Sequence, residues 1–170
     1  MNTSVRFSVG LLLLCVMLLV LFLFGKKKNM KHDSNKQPKP QRNNNPFSLI
    51  QIKPDKWLGL VGVGGDGFLA FDSPRDGVRA GFINLYNRYF AKGIDTINQI
   101  SPVYVGPNDN AKAYASGLSS ITGIGINDRI KKEDLKKLGR AIERMENGYL
   151  WVTDSDFDSG YNSAIDYLKL

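Results

Sequence analysis

From Trp57 the chain alternates apolar and small residues through WLGLVGVGGDGFLAFDS. A period of two, interrupted by Gly64-Gly65-Asp66-Gly67, predicts a short β-hairpin, about residues 58–63 paired with 67–71. The period then changes. Val78, Phe82, Leu85, Tyr86 and Tyr89 recur at helical spacing, behind Ser73 as a cap, Pro74 at the first helical position and Asp76 three residues after the cap. Gly93 can close this helix. A short helix is expected around 95–101, stopped by Pro102, with VYVGPNDN as a loop. Asn110 is placed to cap a helix bearing Tyr114, Leu118 and Ile121 and ended by Gly123. Asp128 leads into a helix bearing Leu135, Leu138, Ile142 and Met145, closed by Asn147-Gly148. A last helix starts at Ser155 or Asp156 and carries Tyr161, Ile165 and Leu168. The fold class is mainly α with a short β-hairpin, an α+β domain over residues 47–170.

Two glycines in the first long helix need a reason. Gly77 and Gly81 are four apart and share a face, and each costs about 1 kcal/mol relative to alanine. The expected reason is that another backbone packs close there. The functional alternative is a face left open for a ligand strand.

The amino-terminal third reads differently. Phe7 to Phe24, FSVGLLLLCVMLLVLFLF, is 18 residues without a charge, and a helix of that length approaches the roughly 30 Å hydrocarbon core of a bilayer. It ends in FLFGKKK with no small-residue cleavage site, so residues 1–25 are expected to be an uncleaved single transmembrane anchor in contact with lipid. Residues 26–46 have no apolar periodicity and are rich in Lys, Asn, Gln and Pro, the composition of a disordered, solvated tether.

Charge sharpens this division. The net charge is +7, but residues 26–46 carry seven basic side chains against Asp33, whereas residues 47–170 carry 15 basic and 15 acidic ones. The basic character belongs to the tether, where it suits anionic lipid head groups and, by the positive-inside rule, favours the carboxyl-terminal domain on the cytoplasmic side. A neutral domain, and a tether without aromatic side chains to stack on bases, argue against nucleic acid as a partner.

Several chemistries are excluded by inventory. The one histidine, His32, lies in the tether, and the one cysteine, Cys15, lies in the apolar run. Nucleophilic triads and His-rich zinc sites therefore lack a member in the domain, and no intrachain disulfide can form. GVGGDG, residues 62–67, spells a dinucleotide fingerprint but is followed by strand-like FLAF instead of a helix. Asp154, Asp156 and Asp158 have the spacing of a calcium loop, yet its glycine falls one position late and position twelve is Ile165. No metal and no cofactor are expected. Carboxylate chemistry remains: a Glu in a partly apolar cleft can protonate a glycosidic oxygen. Glu133 and Glu143 sit in charged surroundings and read as helix surface, whereas Glu146 in AIERMENGY has Ile142 and Met145 as helical neighbours.

The ordered stretches DGFLAFDSPRDGVRAGFINLYNRYFAKGIDTINQI, GPNDN and AIERMENG, within residues 57–150, resemble a group of bacteriophage virion structural proteins. Gly77, Arg79 and Ala80 match its Gly-x-Arg-Ala motif; Asp95, Thr96 and Ile97 match Asn-Thr-Ile; Glu146, Asn147 and Gly148 match its last motif. Its Trp-Ala-Pro is reduced here to Pro102, and a Glu of the family pattern is replaced by Asp109, one methylene shorter. The resemblance implies a virion protein with a lysozyme-like, muralytic relationship. It points to Glu146 as general acid/base with Asp109 as helper, and to Arg79, Asn147 and Tyr114 as substrate contacts. Two functions follow. One is an anchored phage virion protein that engages peptidoglycan and cleaves glycan strands as the genome is delivered. The other is a non-enzymatic structural protein that links a viral membrane to capsid proteins. Either places the chain in a viral internal membrane or the bacterial envelope.

Overall fold

The computed structural model describes residues 39–50, 57–64, 67–105 and 110–170. In chain order these form one helical turn, α1 (Lys39–Arg42), a hairpin of β1 (Leu60–Val63) and β2 (Leu69–Phe71), and helices α2 (Pro74–Arg88), α3 (Ile97–Val105), α4 (Ala111–Thr122), α5 (Leu135–Asn147) and α6 (Asp154–Leu168). The described chain is mainly helical with a small antiparallel sheet, as the change of period predicts. The apolar run 7–24 and the lysine-rich residues 26–38 lie outside the described residues. No described helix is long and apolar enough to cross a membrane.

The local signals act as expected in most places. β1 and β2 pair with Val63 opposite Leu69 and Leu60 opposite Phe71, with an irregularity between Leu60 and Gly62. Gly67 has φ 83° and donates its N–H to the Gly64 carbonyl at 2.9 Å, a geometry a side chain would strain. At α2 the Ser73 hydroxyl accepts from Asp76 N at 3.2 Å and donates to Asp76 Oδ2 at 2.7 Å, closing the first turn on itself. Asn110 caps α4 by accepting from Ala113 N at 3.0 Å, and Gly123 and Gly148 end α4 and α5 in the left-handed conformation.

Four boundaries depart from the sequence expectation. Pro102 lies inside α3, which runs on through Val103, Tyr104 and Val105 where a loop was expected. Thr96 and Gln99 bond reciprocally at its start, and Ile97 and Ile100 are fully buried. Proline deprives the Asn98 carbonyl of its helical donor, but Asn98 is exposed and water can serve it. Helix α5 starts at Leu135 after a 3-10 turn at Lys132–Asp134, not at Asp128, because Arg129 is paired with Thr96 across the chain. Helix α6 starts at Asp154 with Thr153 as its cap, one or two residues earlier than Ser155 or Asp156. A three-residue 3-10 turn, Phe90–Lys92, intervenes between α2 and Gly93.

A fifth departure is the largest. Residues 39–46 belong to the fold and not to a solvated tether. Asn45 is completely buried. Its Nδ2 donates to the carbonyls of Leu49 and Leu69 at 2.9 and 3.0 Å, and its Oδ1 accepts from Leu49 N at 2.9 Å. Asn44 Nδ2 donates to the Phe71 carbonyl at 2.9 Å. Polar composition suggests solvation only when no buried partner exists, and here backbone groups of the hairpin supply the partners.

This segment also answers the glycine question. A Cβ at Gly77 would collide with the Asn44 carbonyl, and one at Gly81 with the Phe47 ring. The face is filled by the chain's own Asn44–Phe47, so it is not open to a ligand strand. Phe47 then packs edge-on against Phe82 at 5.2 Å, and Phe82 meets Phe157 and Tyr161 of α6 at 5.6 and 4.9 Å. Phe82 is thus the centre on which the amino-terminal segment, α2 and α6 converge.

Candidate functional site

Helix α5 carries the chemistry, and it carries it on two sides. Arg140, Glu143 and Asn147 recur at spacings of three and four and share one side. Glu143 is completely buried, which corrects its reading as helix surface. Its Oε1 accepts from Trp151 N at 3.0 Å and Val152 N at 2.9 Å, and its Oε2 accepts from Arg140 Nη1 at 2.8 Å. Arg140 bonds onward to the Val152 carbonyl at 3.0 Å and to Asp154 at 2.6 Å, with its guanidinium 3.8 Å from the centre of the Phe157 ring. Charge context suggests solvent, but the loop before α6 folds back and offers this carboxylate two backbone donors, with Arg140 of α5 as the third. A carboxylate spent in this way stitches α5 to α6 and is unavailable to a substrate.

Asn147 completes this side. Its Nδ2 donates to the Glu143 and Pro46 carbonyls at 2.6 and 3.1 Å, and its Oδ1 accepts from Trp151 Nε1 at 3.0 Å. Both ends of its amide are engaged within the protein, so the structure gives it a joining role in place of the predicted substrate contact.

Glu146 faces the other way. It is half-buried, and its Oε1 accepts from the Tyr114 hydroxyl of α4 at 2.8 Å. Tyr114 stacks on Tyr104 at 5.8 Å, and Tyr104 leans on Tyr89 at 6.3 Å. The Tyr104 hydroxyl donates to the Phe47 carbonyl at 2.7 Å. The three phenols therefore line up from α2 through α3 to α4 and end on Glu146. Burial raises the pKa of all three above the ordinary phenol value. Nearby Glu146 and neighbouring phenols add to this at Tyr104 and Tyr114, and the hydrogen bond to Glu146 adds further at Tyr114. At Tyr89 the charge of Arg88 partly offsets burial. Each stays protonated at neutral pH, which keeps Tyr114 a donor.

The structure thus brings two of the predicted residues together, Glu146 and Tyr114, and it adds Tyr104 and Tyr89. Tyr104 was hidden because Pro102 argued for a loop; Tyr89 and Tyr114 were legible as helical apolar positions. Asp109 lies outside the described residues. Arg79 of α2 faces α6, with its guanidinium carbon 4.9 Å from the centre of the Tyr167 ring. Among the described residues no group of three or more His, Cys, Asp or Glu side chains is arranged to hold a metal. The calcium-like aspartates diverge along α6: Asp154 pairs with Arg140, Asp158 with Lys136 at 2.8 Å, and Asp156 caps with Thr153 at 2.9 Å. No family model and no curated protein matches the chain.

The Tyr114 hydroxyl thus presents the Glu146 carboxylate at the end of an aromatic wall, the geometry from which a carboxyl group can exchange a proton or a hydrogen bond with a ligand.

Proposed function

We propose that the chain is a non-enzymatic structural linker of a bacteriophage particle, anchored in a membrane by residues 7–24 and joined through its folded domain to capsid proteins. The observation that carries this reading is the joint at residues 39–47. The segment that continues the basic stretch is built into the core: Asn45 bonds the hairpin, Phe47 fills the glycine face of α2, Tyr104 of α3 holds the Phe47 carbonyl and Asn147 of α5 holds that of Pro46. A load arriving along the tether is shared among the hairpin, α2, α3 and α5 instead of falling on a flexible junction. Glu143 and Asn147, two of the groups that carboxylate chemistry would call on, are committed to internal bonds.

Peptidoglycan engagement by a lysozyme-like domain is the second reading, favoured by one observation: Glu146 is half-buried against Tyr114 and its stacked neighbours. In that case Glu146 is the general acid/base, with Asp109 the candidate helper.

Detergent-solubilised full-length chain incubated with purified peptidoglycan separates the two. The linker reading expects no soluble glycan fragments and no difference between the wild type and Glu146→Gln. Fragment release that disappears in Glu146→Gln establishes the hydrolase and overturns the linker.

A further inference from the structure

Arg79 is a cation held against an aromatic ring and not against a carboxylate. It projects from α2 toward the carboxyl-terminal end of α6. Its Nε is buried and has no hydrogen-bond partner, and among the described residues Arg79 has neither a hydrogen bond nor an ion pair. What holds it is the Tyr167 ring, 4.9 Å from its guanidinium carbon. Tyr167 is itself 61% exposed, so its other surface is open. A stacked guanidinium is fixed in direction while its terminal nitrogens remain available, the arrangement that receives a planar oxyanion through two parallel bonds.

The surroundings choose the anion. Arg75, one turn earlier on the same side of α2, has its charge met by Asp76, with Nε and Nη2 at 3.2 and 3.0 Å from Oδ1. On this side of α2 that leaves the one positive charge of Arg79, which a monoanionic carboxylate balances and a phosphate dianion exceeds. The broad exposed phenol beside it supplies the flat, partly apolar contact that arginine and tyrosine provide together at the centres of protein interfaces.

We propose that Arg79 and Tyr167 form a receiving site for a carboxylate side chain presented by an acidic segment of a protein partner. The site lies on α2 and α6, away from the bonds that define the Glu146 cluster, and it stands whether the domain is a linker or a hydrolase.

The test follows the arginine Nε–Hε resonances of the isotope-labelled full-length chain in detergent micelles. The probes are an end-blocked Gly-Asp-Gly peptide, its Gly-Asn-Gly counterpart and inorganic phosphate. Arg144, exposed on α5, is the internal reference. The aspartyl peptide is expected to shift Arg79 saturably with an apparent affinity about tenfold tighter than at Arg144, a difference of about 1.4 kcal/mol. The asparaginyl peptide should move neither resonance. Tyr167→Ala should bring the Arg79 response down to that of Arg144, and its exposed position keeps the fold intact. Equal responses at Arg79 and Arg144, or tighter binding of phosphate than of the aspartyl peptide, would overturn the proposal.

Discussion

Glu143 and Glu146 are one helical turn apart on α5, and they live in opposite worlds. Glu143 is wholly buried and held by two backbone N–H groups and a guanidinium. Glu146 is half-buried at the end of a row of tyrosines and receives the Tyr114 hydroxyl. Identical chemistry on one helix has become a rivet in the first place and a candidate site in the second. The difference lies in what the rest of the chain presents to each side: loop 151–154 brings donors without substrate access, whereas α4 brings a phenol and an aromatic wall.

If that contrast is right, Glu143→Ala should cost about 2–4 kcal/mol, because it leaves two N–H groups of the loop without their acceptor and takes from Arg140 one of its two carboxylates. Glu146→Ala should cost far less, and chemical denaturation of the two variants measures the gap. Equal losses would mean that Glu146 is as structural as its neighbour.

The amino-terminal joint provides the next largest effect. Gly77→Ala forces the Asn44 carbonyl away from α2, a clash expected to cost about 1–3 kcal/mol despite the better helix propensity of alanine. A gain in melting temperature would show that the segment does not sit on this face in solution.

The tyrosine row predicts a pH dependence of stability. An unfolded phenol ionises near pH 10, about where model peptides do. The folded values of Tyr89, Tyr104 and Tyr114 are raised, so the native state keeps protons that the unfolded state has lost. Stability from these groups is fully present below about pH 10 and falls above it, by up to about 1.4 kcal/mol per pH unit for each tyrosine that remains protonated. Denaturation midpoints between pH 9 and 11 check this, and Tyr114→Phe should flatten the slope. The smallest effect is Tyr114→Phe at neutral pH, about 0.5–1.5 kcal/mol for one lost hydrogen bond. A much larger loss would make the Tyr114–Glu146 pair a second rivet.

The legible parts of this fold share a physical basis. Hairpin, helix caps and glycine stops are local: Ser73 reaches Asp76, Asn110 reaches Ala113, and Gly123 needs no neighbour to turn left-handed. Pro102 misled because its cost is met by solvent at Asn98 and by the buried pair Ile97 and Ile100, neither of which is visible in the dipeptide. Of the candidate site, Glu146 was chosen for its apolar helical neighbours and Tyr114 as a substrate contact, and in three dimensions the two meet in a direct bond. Glu143, Asn147 and the row through Tyr104 were illegible, because their partners are 4 to 101 residues away along the chain.

By itself the sequence determined the period of most elements, the glycines that had to pack, the charge balance of residues 47–170 and the lack of histidine or cysteine chemistry within them. Each of these follows from local sterics or from counting. Tertiary structure alone decided that Asn44–Phe47 is what fills the glycine face, that Glu143 is buried while Glu146 meets a phenol, and that Arg79 is left with an aromatic ring in place of a counterion. Those outcomes depend on which distant backbone and side-chain groups arrive at the same point, and desolvation makes the arrival decisive: a buried polar group must find its partner, and the chain that brings one determines what the residue becomes.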